Sequence, residues 1–248
     1  MYYGGYGIGY GFFDPTYLLV LVGIVICAIA SWNVKATFSR YKQVRSRLGM
    51  TGAQAAEQVL HNAGIFDVRV QHVSGNLTDH YDPRSKTVNL SDSVYGSTSV
   101  AAIGVAAHEC GHAIQHAKHY APLDFRTWLV PVANFGSAIS WPMILIGLFL
   151  GYGSSYTAGN SIAGTLIMIG IWAFAASVLF QIVTLPVEFN ASHRALIMLR
   201  DGHMLDDGEL VHTRKVLVAA ALTYVAGALS AILQLLRIIL ITQGRDRD

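Results

Sequence analysis

The stretch VAAHECGHAIQH, residues Val105–His116, decides how the rest of the chain is interpreted. His108 and His112 stand four positions apart, so on a helix both imidazoles project from one face, one turn apart. Glu109 can reach a water molecule on an ion held by that pair. This is the spacing of the zinc-peptidase helix, in which zinc acidifies its water and the glutamate takes the proton. The alternative is an ordinary buried helix whose histidines are hydrogen-bonded, but three such residues on an apolar helix are costly without a purpose.

The chain around this motif is unusually apolar. Of its 248 residues, 53% are hydrophobic and 13% are charged, a balance that soluble domains seldom have. A net charge of +2 gives no reason to expect a nucleic-acid partner. The two cysteines, Cys27 and Cys110, do not indicate a disulfide framework. The composition therefore predicts an α-helical integral membrane protein, with the lipid bilayer as its surroundings.

Four apolar segments have about the 20 residues needed to cross a bilayer. The first follows Asp14 and Pro15, which suit a helix cap and a first helical turn. The predicted organisation is a Gly/Tyr-rich leader at 1–15, transmembrane helices at 16–32, 128–152, 161–185 and 216–236, polar segments at 33–127 and 186–215, and a tail at 237–248.

Basic residues predict the orientation of these spans. Residues 1–15 contain no Lys or Arg, which also disfavours a cleaved signal peptide. The basic residues cluster after the first span and between the third and fourth spans: Lys35, Arg40, Lys42, Arg45, Arg47, Arg194, Arg200, Arg214 and Lys215. Because positive charge near span ends stays inside, the N-terminus is expected outside and both polar segments in the cytoplasm. In a bacterial cell this means the plasma membrane.

The segment 33–127 is long enough for a small α+β domain on the cytoplasmic side. TGAQAAEQVLHNAGI predicts a short helix, with Thr51 as its cap, Gln54 in a capping box and Gly64 at its end. The alternation in FDVRVQHV and TVNLS predicts a small antiparallel sheet. Ser97 or Thr98 is expected to cap the following helix, which carries the histidine motif.

A catalytic zinc site needs a third protein ligand and one open position. Of the four glutamates, Glu109 is the expected base, while Glu57 and Glu209 fall in the capped helix and in a turn-like stretch. Glu188, after the third span, is the preferred ligand, although it also suits the first turn of a new helix. The rival ligand is His116, which lies about 12 Å along the helix from the first motif histidine and is better suited to a supporting role.

Three stretches together resemble a known family: HECGH in an apolar helix, EFNASHRA downstream of a span, and YDPRSKTVNLSDSVY before the motif. Over nearly its whole length the chain resembles the YugP-like membrane zinc metallopeptidases. It is more distantly similar to the heat-shock and prenyl-protein-processing membrane proteases. The resemblance implies a cytoplasm-facing zinc endopeptidase with one Zn²⁺ per chain, acting on unfolded or membrane-associated polypeptides. Its ligands would be His108, His112 and Glu188, and its base Glu109.

The chain departs from the wider group at Ser192. Those proteases usually place an aspartate there to orient a zinc histidine, and a serine accepts the same hydrogen bond without a charge. Asn190 and Arg194 also lie in the matched motif and are candidates for supporting the ligands. The strand KTVNLS before the motif is expected either to bind extended substrate at a sheet edge or to be an ordinary core or edge strand.

Two other classes remain open at this stage. A membrane di-iron oxidase or desaturase also uses HxxxH spacings, but the chain lacks the paired-histidine boxes of that class. A non-catalytic zinc-binding membrane protein, such as a metal transporter, is expected to place ionisable groups within several spans. The predicted spans here are nearly free of charge.

Overall fold

A computed structural model describes residues 14–151 and 161–244. Residues 1–13 of the predicted leader, residue 152 at the end of the second predicted span and residues 245–248 of the tail lie outside the described residues. The elements in chain order are α1 (Tyr17–Tyr41), α2 (Gly52–Asn62), β1 (Arg69–Val73), β2 (His80–Asp82), β3 (Thr87–Ser91), α3 (Val100–Ala117), α4 (Ala121–Leu150), α5 (Ile162–Asp201) and α6 (Asp207–Gly244).

Four helices, α1, α4, α5 and α6, are long and apolar enough to cross a membrane. The expected mostly helical protein with about four such helices and a small sheet is therefore confirmed. Helix α5 continues through Pro186, so Glu188 lies inside a 40-residue helix and not in the first turn of a new one. A proline inside a helix lacks the amide hydrogen that would bond the carbonyl oxygen four residues earlier, which here is that of Ile182.

The chain divides into two compact units. The described part of the first unit comprises residues 14–28, 131–151, 161–179 and 226–244. Its helices approach closely at small residues, as membrane helices commonly do. A Cβ atom at Gly136 would lie 2.5 Å from the carbonyl oxygen of Ala173, and one at Gly23 would lie 2.7 Å from the Ser230 hydroxyl. These contacts leave no room for larger side chains.

The second unit comprises residues 29–130 and 180–225 and contains the sheet. Its strand order is β1-β3-β2, with β1 parallel and β2 antiparallel to β3. The predicted antiparallel sheet is thus wrong for β1, because β2 intervenes in the chain and pairs with the other edge of β3. Strand β3 is central and buried along its whole length, so it is a core strand. The strands at the two edges are β1 and β2.

The sequence signals for helix caps predicted both ends of α2 correctly but not the start of α3. Thr51 and Gln54 form the predicted capping box, and Gly64 adopts a φ of 73° just past the helix. Helix α3 is capped by Ser99, whose hydroxyl accepts a hydrogen bond from Ala102 N at 3.2 Å. The predicted caps, Ser97 and Thr98, are wrong because the chain is still extended there: the Thr98 carbonyl accepts a hydrogen bond from Ser46 N.

Helix α3 lies in the core of the second unit and packs closely against α5. Its apolar face joins a buried cluster that includes Val88, Leu90, Ile103 and Leu199. A Cβ atom at Gly111 would lie 2.5 Å from the carbonyl oxygen of Ala191. The missing side chain of Gly111 therefore lets α3 and α5 approach closely. This contact brings the segment of α5 that carries Glu188 against the histidine motif.

Candidate metal centre

Three side chains from two helices converge in the second unit. His108 and His112 project from α3, and Glu188 projects from α5. Glu188 Oε2 lies 3.3 Å from His108 Nε2 and 3.6 Å from His112 Nε2. One ligand atom from each of the three lies within 4.8 Å of the others, which is close enough to share one ion.

The chemistry of this cluster fits a divalent metal ion. Glu188 is 3% exposed, and no described residue makes a hydrogen bond to its buried Oε2 atom. A buried carboxylate oxygen without a hydrogen bond is costly, and a cation between the three side chains would remove that cost. Two imidazole nitrogens and one carboxylate oxygen are ligands that Zn²⁺ takes in catalytic sites. Within the described residues this is the single cluster of its kind, which leaves too few ligands for a di-iron site.

A buried glutamine fixes the tautomer of His112. Gln115 Nε2 donates to the carbonyl oxygen of Val187 at 2.8 Å and to Asn190 Oδ1 at 3.0 Å, so the amide cannot be flipped without losing both bonds. Its Oε1 atom therefore accepts from His112 Nδ1 at 3.1 Å. The Nε2 atom of His112 then turns towards Glu188, as a metal-ligating histidine requires.

The acidic neighbours of His112 also affect its protonation. Burial lowers the pKa of His112, but the carboxylates of Glu188 and Glu109 more than offset this effect, so its pKa lies above the usual value. In the absence of metal the imidazole therefore holds a proton more tightly than an exposed histidine does. A bound cation competes with that proton, because only the unprotonated nitrogen is a ligand.

Of the other candidate supporting residues, Ser192 contacts the cluster directly, and Asn190 and Arg194 are linked to it through Gln115. Ser192 Oγ lies 3.1 Å from His108 Nδ1. Asn190 Oδ1 accepts from Arg194 Nε at 2.7 Å as well as from Gln115. A continuous chain of hydrogen bonds thus runs from Arg194 through Asn190 and Gln115 to His112. Both motif histidines are held at Nδ1, which leaves both Nε2 atoms directed at Glu188.

Comparison with known proteins identifies the family. The family model described as "Putative neutral zinc metallopeptidase" matches residues 16–243. The chain belongs to this family. It is also similar to the "Putative membrane protease YugP" of Bacillus subtilis (strain 168), with 41% identity over 235 residues, covering 93% of this chain and all of that protein. No solved structure matches the chain. The expected family resemblance is confirmed.

Beside the metal cluster of this zinc-peptidase family member lies a cavity of about 390 Å³. Glu109 lines the cavity together with His112 and Glu188, and it is 9% exposed. The edge strand β2 also contributes His80 and Tyr81 to the lining of this cavity. The carboxylate of Glu109 therefore lies in the cavity wall beside the His108, His112 and Glu188 cluster without being one of its three members.

The remaining candidates from the sequence serve other contacts. His116 lies outside the metal cluster, and its Nδ1 atom is 2.9 Å from the Tyr81 hydroxyl, so it links α3 to β2. Glu209 accepts hydrogen bonds from Arg47 N at 2.7 Å and from Asp206 N at 2.9 Å. Cys110 is buried, and burial raises the pKa of its thiol, which makes it unreactive.

Sequence reasoning missed three polar residues near the cluster: Gln115, Arg126 and Tyr224. Gln115 carries a signal that was available, because it is a polar residue one turn after His112 on an apolar helix. Arg126 and Tyr224 line the cavity from α4 and α6. Neither belongs to a local motif, so only the tertiary structure reveals them.

Proposed function

We propose that the protein is a membrane-embedded zinc-dependent endopeptidase. His108, His112 and Glu188 hold one Zn²⁺ per chain, and Glu109 is the general base. The observation that carries this proposal is the convergence of the three ligand atoms around a buried Glu188 oxygen that lacks a hydrogen bond. Membership of the zinc metallopeptidase family supports it.

The side chains of this site have separate roles in the proposed hydrolysis of a peptide bond. When bound, zinc supplies an acidified water and polarises the substrate carbonyl. Glu109 takes the proton from the attacking water and delivers it to the leaving amide nitrogen, because it lines the cavity beside the ligands. Ser192 and Gln115 hold the two imidazoles in position through Nδ1.

Arg126 is our candidate for stabilising the negative charge that develops on the carbonyl oxygen. It lines the same cavity as Glu109. Its buried Nε atom has no hydrogen-bond partner among the described residues, and its guanidinium lies 5.8 Å from the centre of the Phe180 ring. A guanidinium that is not neutralised by a carboxylate is suited to an oxyanion. Tyr224 lines the cavity as well and is a second donor at this position.

The substrate is proposed to be an unfolded or membrane-associated polypeptide. Strand β2 forms an edge of the sheet, and its residues His80 and Tyr81 line the cavity. An extended peptide can add to such an edge through main-chain hydrogen bonds, which give little side-chain specificity. This arrangement suits substrates that lack stable structure.

We also propose that the site faces the cytoplasm. Lys and Arg residues are concentrated in 33–127 and 186–215, and the N-terminal residues carry none. The positive-inside rule then places both segments in the cytoplasm and the N-terminus outside, in the plasma membrane if the cell is bacterial.

Replacing the proposed base tests the proposal. We expect Glu109→Gln to retain one zinc per chain by elemental analysis while cleavage of unfolded, fluorescently labelled casein disappears. Glu57→Gln is the matched control, because this glutamate is exposed on α2, and it should keep full activity. Cleavage that survives in Glu109→Gln would refute the assignment of the base. Bound iron in place of zinc would favour an oxidase.

A further inference from the structure

A second cavity, of about 560 Å³, lies between α1 and α6 and carries a strong positive charge. Its cationic side chains are Arg40 from α1 and Arg214 and Lys215 from α6. We call the site formed by these three residues and their neighbours the basic groove. None of the residues that line it also lines the cavity beside the metal cluster.

The charges of the basic groove are not neutralised by the protein. Among residues 14–151 and 161–244, no carboxylate forms an ion pair with Arg40, Arg214 or Lys215. The buried ring of Tyr41 lies near two of them, with its centre 5.7 Å from the Arg40 guanidinium and 6.0 Å from the Lys215 ammonium. His212 stacks on this ring, with 4.9 Å between the ring centres. Two exposed cations thus lie near one aromatic ring, a third lines the same groove, and none of the three has a carboxylate partner among the described residues.

Towards the predicted membrane spans, the groove changes from cationic to apolar along α6 and from cationic Arg40 to uncharged Thr37 and Asn33 along α1. On α6, Arg214 and Lys215 come first, and Val218 and Leu222 follow towards the charge-free stretch 216–236. On α1, Arg40 comes after the charge-free stretch 16–34. The cations therefore stand where both helices leave their apolar stretches, which is the level of a membrane surface. Val218 and Leu222 form an apolar wall on the membrane side of these cations.

We propose that the basic groove binds an anionic phospholipid. The lipid phosphate contacts Arg40, Arg214 and Lys215, and one acyl chain lies along Val218 and Leu222. Guanidinium groups bind phosphate through paired hydrogen bonds, and lysine adds a further positive charge. A soluble phosphate compound would use the three cations but not the apolar wall. The proposal does not depend on the peptidase activity.

The test compares two triple variants of the full chain with equal loss of charge. The groove variant is Arg40→Gln, Arg214→Gln and Lys215→Gln. The control variant, Lys35→Gln, Lys42→Gln and Arg45→Gln, removes three cations near the same predicted membrane surface that do not line the groove. Binding of phosphatidylglycerol to the delipidated protein in neutral detergent is measured by native mass spectrometry, with phosphatidylcholine as the uncharged lipid.

Each cation near an anionic lipid contributes roughly a fivefold factor in affinity, so the groove variant is expected to bind phosphatidylglycerol on the order of a hundredfold more weakly. The control variant should stay close to wild type. Equal weakening in both variants, or equal wild-type affinity for the two lipids, would overturn the proposal. Phosphatidylglycerol can also be displaced by inorganic phosphate or by a second anionic lipid. If inorganic phosphate displaces it as effectively as the second lipid does, the proposal is overturned in favour of a soluble phosphate ligand.

A charge-preserving variant separates loss of the site from loss of folding. Arg40→Lys and Arg214→Lys together keep the three charges but lose the paired hydrogen bonds, so binding should weaken less than in the groove variant. If the groove variant does not fold, as judged by thermal unfolding in detergent, the single variants Arg214→Gln and Lys42→Gln replace the two triples. Equal phosphatidylglycerol binding by these two single variants would then refute the site.

Discussion

Replacing Gln115 tests whether the orientation of His112 controls metal binding. The side chain is fully buried and makes three hydrogen bonds, to His112, Val187 and Asn190. In Gln115→Met, Asn190 Oδ1 still accepts from Arg194, and the Val187 carbonyl lies in the interior of α5. His112 Nδ1 alone is left without a partner. An unsatisfied buried donor costs about 1–3 kcal/mol, which is our estimate for the loss in folding stability.

The same change is expected to weaken zinc binding by about 10–100-fold, because groups that orient a ligating histidine have effects of this size. The measurement is the zinc dissociation constant of the detergent-solubilised protein, determined by competition with a chelator of known affinity. Gln71→Met, at an exposed position on β1, is the matched control. If Gln115→Met binds zinc as tightly as the control variant, the hydrogen-bond chain from Arg194 to His112 does not serve the metal site.

The remaining predictions concern three other side chains. Glu188→Ala should abolish zinc binding, whereas Glu209→Ala should only lower thermal stability, since its carboxylate holds backbone amides; equal zinc retention in both would remove Glu188 from the site. Arg126→Gln should keep zinc and lower kcat by about 10²–10³-fold, the usual cost of losing one oxyanion donor; an unchanged kcat would exclude that role. Ser192→Ala should weaken zinc binding by about tenfold or more, through His108, and Ser192→Asp should not; equal affinities in the two would argue against the hydrogen bond.

The relative positions of residues close together in the chain were predictable, because local backbone geometry determines them. The common face of His108 and His112 follows from their spacing, and the capping box of Thr51 and Gln54 follows from local sequence. Glu188 was reached by elimination among four glutamates, since nothing local connects it to a motif about 80 positions away. Its proximity to the two histidines is a property of the packing of α3 against α5.

The features that could not be predicted depend on tertiary contacts. The parallel pairing of β1 with β3 requires β2, a strand of three residues, to lie at the far edge, and so short a strand leaves no periodic pattern. The cap of α3 falls at Ser99 because the Thr98 carbonyl is still bonded to Ser46 N, in the connection between α1 and α2. The amide of Gln115 has two equivalent orientations until Val187 and Asn190 select one.

Gly111 gives the proposed metal site a weakness that lies outside its ligands. Only a hydrogen atom separates its Cα from the backbone of Ala191, and a methyl group there would meet a carbonyl oxygen at 2.5 Å. Relieving that clash requires α3 and α5 to move apart by about 1 Å. This movement would lengthen the distance between the Glu188 carboxylate and the imidazoles of His108 and His112. The spacing of the three proposed ligands therefore depends on the absence of a side chain at position 111. We expect Gly111→Ala to impair metal binding although it changes none of the proposed ligands or the proposed base.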